Sequence, residues 1–328
     1  MDQLEAFALG PVLVERPWGG RRLEAYGKHL PPGLRIGESW EVCDLPASVA
    51  PHVVDPRSRV AGGPLAGLAL SELIERFGER FLGSASPTAQ GDFPLLVKLL
   101  DARENLSVQV HPHAEYSHDH PESRPKTESW YIVEATEGAE LFLGFEPAVT
   151  LEQVEAAAGT PSIVGLLRRV PAQAGGFHRL PAGLAHALGE GVMVVEVQTP
   201  SDSTFRLYDW SQHYGRRSRP LHLGEALETL TFGHEEELSR APAAVPGVRD
   251  LESNRHYWIR EHRSDGALTL DPASEVRVLV VAAGRLAVDG RAHGAGTTLI
   301  VPAEAISNTT LRADGGATVL EVGLGRPT

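Results

Sequence analysis

The chain has 328 residues, a length that suits one large domain with a smaller partner or two of similar size. Hydrophobic residues make up 42% and charged residues 22%, the make-up of an ordinary globular protein. The formal net charge of -13 repels polyanions, which excludes nucleic acid and anionic membrane as partners but leaves room for a local basic cluster holding a small phosphorylated ligand.

The stretch MDQLEAFALGPVLVERPWGG lacks a basic lead with a long apolar core, and no apolar run approaches a membrane span, so a cytoplasmic protein is expected. The lone Cys43 excludes an internal disulfide and reads as a buried, inert thiol. The first sixty residues are rich in Gly and Pro, with short strands expected at Pro11 to Val14 and Ser39 to Val42. Helical spacing follows from Leu68 to Leu82, with Ser71 as N-cap. Strands are expected at Phe93 to Leu100, Leu106 to Val110, Ser129 to Val133 and Glu140 to Leu143. A second helix runs from Thr150 through Ala158, where Thr150 and Gln153 fit a capping box. A strand at Val192 to Thr199, a helix at Leu223 to Leu230 and several strands after Tyr257 complete the list. Residues 235 to 250 are polar and Pro-rich like a linker, which divides the chain into 1–238 and 239–328.

Many short strands between frequent turns point to a mainly β chain. Gly175, Pro181, Gly183 and His186 spell G-x5-P-x-G-x2-H, the pattern of the second cupin motif. In the tail Gly296 and Pro302 keep the first spacing, while Glu304 replaces the second Gly and Ser307 the His. Two cupin-like jelly rolls are expected, with a few helices added to the first and metal ligands only there.

In LSVQVHP, Leu106, Val108 and Val110 share one strand face, and Ser107, Gln109 and His111 the other. A wet sheet face would explain that polar row equally well. Glu128 precedes the apolar run SWYIV and His186 follows a Pro-Gly turn, so both belong at strand ends. Two imidazoles, one carboxylate and an amide oxygen around a divalent ion leave a position for water or substrate, the logic of a catalytic zinc rather than a structural one. HPHAEYSHDH adds His113, His118 and His120, a polar loop or a weak metal-binding tract.

PLLVKLLDARENLSVQVHP, KTESWYIVEA, RLPAGLAHALGEG and VEVQTPSDSTFRLYDW resemble, in this order, the signature blocks of the type I phosphomannose isomerases, particularly the shorter bacterial form. PWGG at Pro17 to Gly20 and GESWE at Gly37 to Glu41 resemble the same family, and the match spans roughly residues 10 to 230. The resemblance implies one zinc per chain held by Gln109, His111, Glu128 and His186, and an essential Arg206. It also implies a phosphorylated hexose as substrate: mannose 6-phosphate and fructose 6-phosphate interconverted through a cis-enediol.

Further candidates lie near these positions. Lys126, two residues before Glu128, shares its face if the chain is extended, and its ammonium suits an enediolate or a phosphate. Glu196 breaks the run VMVVEV, and a buried carboxylate needs a task or a partner. The planar guanidinium of Arg206 can bind phosphate or stabilise an oxyanion; a loop-fixing pair with Asp202 is the competing reading. Lys98, Ser107 and Asp202 complete the set as substrate-pocket residues. Another cupin isomerase or epimerase of a phosphosugar, or a sugar-binding cupin without turnover, shares much of this pattern. Oligomeric state has no trace in the sequence.

Overall fold

Strands Leu96–Asp101 and Val192–Gln198 are buried at every residue. Such near-continuous apolar runs arise when both faces of a sheet are covered, and both are covered here. The computed structural model describes residues 4–233, 238–271 and 275–325. In it the two strands lie side by side within a seven-stranded antiparallel central sheet. On one side of them are Ile36–Val42 and Val12–Gly20; on the other are Glu128–Ala135, Phe177–Leu180 and Ser239–Arg240.

The inner face presents Leu100, Trp130, Ile132 and Val194, which pack on Leu141, Leu143 and Leu188. These belong to a five-stranded antiparallel sheet ordered Phe205–Tyr208, Val108–Val110, His186–Leu188, Glu140–Phe145 and Leu167–Pro171. The outer face presents Val97, Leu99, Val195 and Val197 to Tyr257, Ile259, Val278, Val280 and Val322 of the tail. The tail contributes most of a nine-stranded sheet around the long strands Arg277–Val288 and Leu311–Leu324, whose far side buries Leu279, Val281, Leu286 and Val319. The chain is thus mainly β, two jelly rolls with few helices, as the strand pattern led one to expect. Among the described residues no helix is long and apolar enough to cross a membrane.

The helices differ in detail from the sequence reading. The run expected from Leu68 to Leu82 breaks at Gly78 (φ 52°, ψ -123°) into Leu70–Phe77 and Glu79–Leu82. Its N-cap is Ala69, whose N–H donates to Glu72 Oε2 at 2.7 Å. Ser71 is drawn away to donate to Asp44 Oδ1 at 3.0 Å. The capping box of Leu151–Ala157 is present: Gln153 N–H donates to Thr150 Oγ1 and Thr150 N–H to Gln153 Oε1, at 3.4 and 2.9 Å. The third helix spans Leu223–Thr229. Within HPHAEYSHDH the chain forms a helix, Ala114–Asp119, rather than a loop, and His113 Nδ1 accepts from Tyr116 N–H at its start.

The two copies of the Gly-x5-Pro spacing have matching geometry. Gly175 and Gly296 both have left-handed φ, 83° and 87°, and each leads into a strand, Phe177–Leu180 and Thr298–Val301. After Pro181 the chain turns at Gly183, where φ is 85° and a Cβ would lie 2.4 Å from Thr231 Oγ1, and enters the His186 strand. After Pro302 it makes a 3-10 turn, Ala303–Asn308, that leaves Ser307 exposed. Glu304 there accepts from Arg80 Nε at 2.6 Å and from Leu4 N–H at 2.9 Å.

The N-terminal strand Phe7–Gly10 crosses the division expected at residue 238, because it pairs with Thr298–Val301 and extends the tail's sheet. Of the expected linker, residues 235–237 lie outside the described residues, Ser239–Arg240 pairs with Phe177–His178, and Gly247–Ser253 is a strand. Polar ties join the layers as well: Tyr131 Oη donates to Glu261 Oε1 at 2.6 Å, and the hydroxyls of Ser129 and Tyr257 lie 3.1 Å apart.

Leu99, 1% exposed, fills the junction of central and tail sheets. Leu99→Ala is expected to lower unfolding stability by about 2–5 kcal/mol, whereas Leu34→Ala at an exposed position should change it by less than about 0.5 kcal/mol. Calorimetric melting of both variants checks this.

Candidate metal centre and adjoining cavity

Antiparallel register builds the site. Glu196 stands opposite Lys98 on one neighbouring strand and Trp130 on the other, so the three form a row on the inner face. Two residues along, Gln198 stands opposite Glu128 and brings that carboxylate onto the same face. On the facing sheet His186 stands opposite Gln109, and Gln109 opposite Arg206.

His111, Glu128 and His186, each 1% exposed, converge with their ligand atoms within 4.8 Å of one another. His186 Nε2 lies 3.3 Å from Glu128 Oε1, and His111 Nε2 3.4 Å from Glu128 Oε2. Each ring is fixed from behind by a backbone carbonyl that receives its Nδ1–H: Leu184 for His186 and Ser203 for His111, both at 2.9 Å. That tautomer turns the Nε2 lone pairs inward, as metal-ligating imidazoles require. Burial, and next the Lys126 charge, push His111 down to about 3, which keeps the ring neutral. Burial opposes the Glu128 charge, but Lys126 and His111 outweigh it and hold the carboxyl well below the usual range. His111 Nε2 and Glu128 Oε1 are buried without a hydrogen-bond partner among the described residues. Inward lone pairs on His111 Nε2 and Glu128 Oε1 without a donor among the described residues fit a divalent cation. Gln109 adjoins the cluster with Nε2 3.3 Å from His186 Nε2, while its Oε1 accepts from Ser107 Oγ at 3.0 Å.

Gln109 and Lys126 also line a cavity of about 270 Å³, together with Lys98, Ser107, Glu196, Asp202 and Arg206. All seven of the non-cluster candidates read from the sequence therefore meet in one place. Lys126 Nζ lies 2.8 Å from Glu128 Oε2, and Lys98 Nζ 3.1 Å from Glu196 Oε1. Trp130 Nε1 donates to Glu196 Oε2 at 3.0 Å. Burial and next the charge of Glu128 raise Glu196 above the usual carboxyl range. Burial opposes the Lys98 charge, yet Glu196 and Glu38 raise it, so the ammonium stays protonated. Arg206 makes no ion pair with Asp202 among the described residues; Asp202 Oδ2 lies instead 3.6 Å from His52 Nδ1.

The cavity also uses Arg16, Trp18, Glu38, His52, Trp130 and Arg219. Arg16 and Trp18 flank the start of PWGG, and Glu38 lies in GESWE, blocks that stand out in the sequence without revealing a role; Arg219 has no local signal. Elsewhere, a more open cleft of about 830 Å³ is lined by Arg124, Thr199, Arg255 and Glu275, but none of the converging ligand residues reaches it. His113 and His120 are engaged on the helix between them, one as its cap and the other stacked on Tyr116 at 4.2 Å, which argues against a second metal-binding tract there.

Fold and site together define a cupin-type protein with a buried two-histidine, one-carboxylate centre beside a charged cavity. The family profile "Phosphomannose isomerase type I, catalytic domain" matches residues 7–141. The chain is 32% identical over 284 residues to a mannose-6-phosphate isomerase of Streptococcus mutans, covering 86% of each. It is 40% identical over 229 residues to a probable mannose-6-phosphate isomerase of Bacillus subtilis, covering 69% of this chain and 68% of that one. The crystal structure of the mannose 6-phosphate isomerase from Bacillus subtilis superposes with a TM-score of 0.81 at 27% identity, covering 97% and 99% of the two chains. The chain belongs to the type I phosphomannose isomerases.

Lys98 neutralises Glu196 in a dry setting, so Lys98→Met leaves a buried carboxylate unpaired and should cost about 3–5 kcal/mol of stability near neutral pH. The folded carboxyl binds its proton more tightly than the unfolded one, so the penalty exists above the folded value and is lost as pH falls through it. The gap in melting temperature between variant and parent should therefore narrow from about pH 8 to about pH 5, measured by calorimetry.

Proposed function

We propose that the protein interconverts mannose 6-phosphate and fructose 6-phosphate through a cis-enediol, using one zinc ion per chain held by His111, Glu128 and His186 with Gln109 beside them. The observation that carries this is the buried set of inward lone pairs, His111 Nε2 and Glu128 Oε1 without partners, adjoining a cavity of sugar size. A bound zinc ion would supply Lewis acidity toward a sugar oxygen.

The chain's own residues supply the remainder. Isomerisation moves a proton between C1 and C2 and builds negative charge on the adjacent oxygens. Glu196, raised above the usual carboxyl range, takes the proton-carrying role, a contribution of about 10²–10⁴-fold. Lys98 and the Trp130 N–H hold its two oxygens in place. Lys126 and Arg206 present positive charge to the developing enediolate, and Ser107, Lys98 and Asp202 bind the sugar. Catalysis belongs to residues 1–238, and 239–328 form the smaller unit, which has no metal-ligand cluster among its described residues.

Chelation should abolish turnover of mannose 6-phosphate, and His186→Ala should lose the metal, read by elemental analysis; full metal content with full turnover in that variant would overturn the assignment. Arg206→Ala should lower kcat and kcat/KM together by about 10²–10³ while retaining the metal. Arg206→Lys should recover only part of this, because an ammonium lacks the planar fork. Near-normal kcat in the Ala variant would remove Arg206 from the chemistry.

A further inference from the structure

Although the chain carries a net charge of -13, five cations line its cavity: Arg16, Lys98, Lys126, Arg206 and Arg219. Four have a carboxylate of their own. Arg16 Nε meets Glu38 at 2.6 Å, Lys98 meets Glu196 at 3.1 Å, Lys126 meets Glu128 at 2.8 Å, and Arg219 Nη2 meets Asp209 at 2.8 Å. Arg206 has none among the described residues, and its Nε is buried without a partner. Burial, then the charges of Arg219 and Arg16, push its guanidinium down to about 10.

The arginines are fixed but not used up. Arg16 engages Glu38 through Nε, and Arg219 engages Asp209 through Nε and Nη2, which among the described residues leaves the Nη atoms of Arg16 and Nη1 of Arg219 available to donate. Asp209 is shared with Arg216, at 3.1 Å to each oxygen, and Arg216 also donates to Glu104 Oε2 at 3.3 Å. Guanidinium groups gathered in a cavity and pressing on one another create a site for an anion, and planar forks suit the oxygens of a phosphate.

We propose that this corner is the phosphate end of the substrate cavity: Arg219 and Arg16 hold the dianion, and Arg206 spans from it toward the metal end. Arg206 stands opposite Gln109 in register, and Gln109 reaches His186, so the guanidinium lies between the two poles. Asp209 is the positioning residue that fixes the Arg219 fork. The proposal rests on the phosphosugar reading above and adds to it the residues that select a phosphorylated over a plain hexose.

The test uses the full-length protein with Arg219→Gln, Arg16→Gln and Arg219→Lys, each checked for metal content. With mannose 6-phosphate, both Gln variants should raise KM at least about 10-fold, with most of the loss in KM rather than kcat, and Arg219→Lys should lie between. Inorganic phosphate should inhibit the parent competitively, and its inhibition constant should rise by a similar factor in the Gln variants. Unchanged KM and phosphate inhibition, or a loss confined to kcat, would overturn the proposal. A second reading needs no turnover: inorganic phosphate should raise the melting temperature of the parent but not of the Gln variants, and an equal response in all would refute the anion corner. Failure of the parent to convert mannose 6-phosphate would instead count against the substrate, with the melting comparison still deciding where phosphate binds. Arg16 and Arg219 lie on separate segments, so a folding defect in one variant leaves the other to decide.

Discussion

The two middle strands of the central sheet are buried on both faces, and the site depends on that constraint. A charge placed on such a sheet has no water to solvate it and must be met by another charge or a directed donor. Lys98 lies 3.1 Å from Glu196 and 3.7 Å from Glu38; Glu38 in turn receives Arg16 and the Trp40 N–H, and Glu196 the Trp130 N–H. Each member fixes its neighbours, so the wall facing the cavity is a preorganised array of charge. The same low polarity strengthens every interaction within it.

The other constraint is orientation from behind. His111 is held by the carbonyl of Ser203, in the loop that also carries Asp202 and leads into the Arg206 strand. That loop is itself pinned: Ser203 N–H donates to Ser201 Oγ, Ser201 Oγ–H to the Arg124 carbonyl, and Arg124 N–H to Ser203 Oγ. One short segment therefore sets the direction of the His111 imidazole and the position of the cavity arginine. The orientation of that ring and the placement of that guanidinium are mechanically linked there, and a backbone change between Thr199 and Phe205 would disturb both.

What was legible in the sequence follows from how local its cause is. The Thr150 and Gln153 capping box involves residues three apart, and it forms as read. Gln109 and His111 declared themselves by period-two alternation, and His186 by a turn motif that needs Gly183 at positive φ. Ser71 misled as an N-cap because a distant carboxylate, Asp44, captures its hydroxyl. The helix Ala114–Asp119 was hidden because a histidine, His113, caps it. Arg16 and Arg219 acquire meaning only when strands far apart in sequence close around one cavity. The pairing of Phe7–Gly10 with a strand near residue 300 likewise has no local signature.

The two jelly rolls share a turn yet divide the labour. In the first the turn ends in His186; in the tail it ends in an exposed Ser307, and Glu304 is committed to Arg80 and the Leu4 N–H. That exchange puts an anchor in the tail where the first copy carries a buried imidazole. The tail covers Val97, Leu99, Val195 and Val197, and without that cover these side chains would face water on the reverse of the strands that carry Lys98 and Glu196. A sheet wet on one face would show strict alternation, whereas LLVKLL and VMVVEV are apolar on both sides of a single charge. The unbroken apolar runs are thus the sequence trace of what the tail does: it keeps the reverse of the sheet dry, so that the charges on its front meet one another instead of solvent.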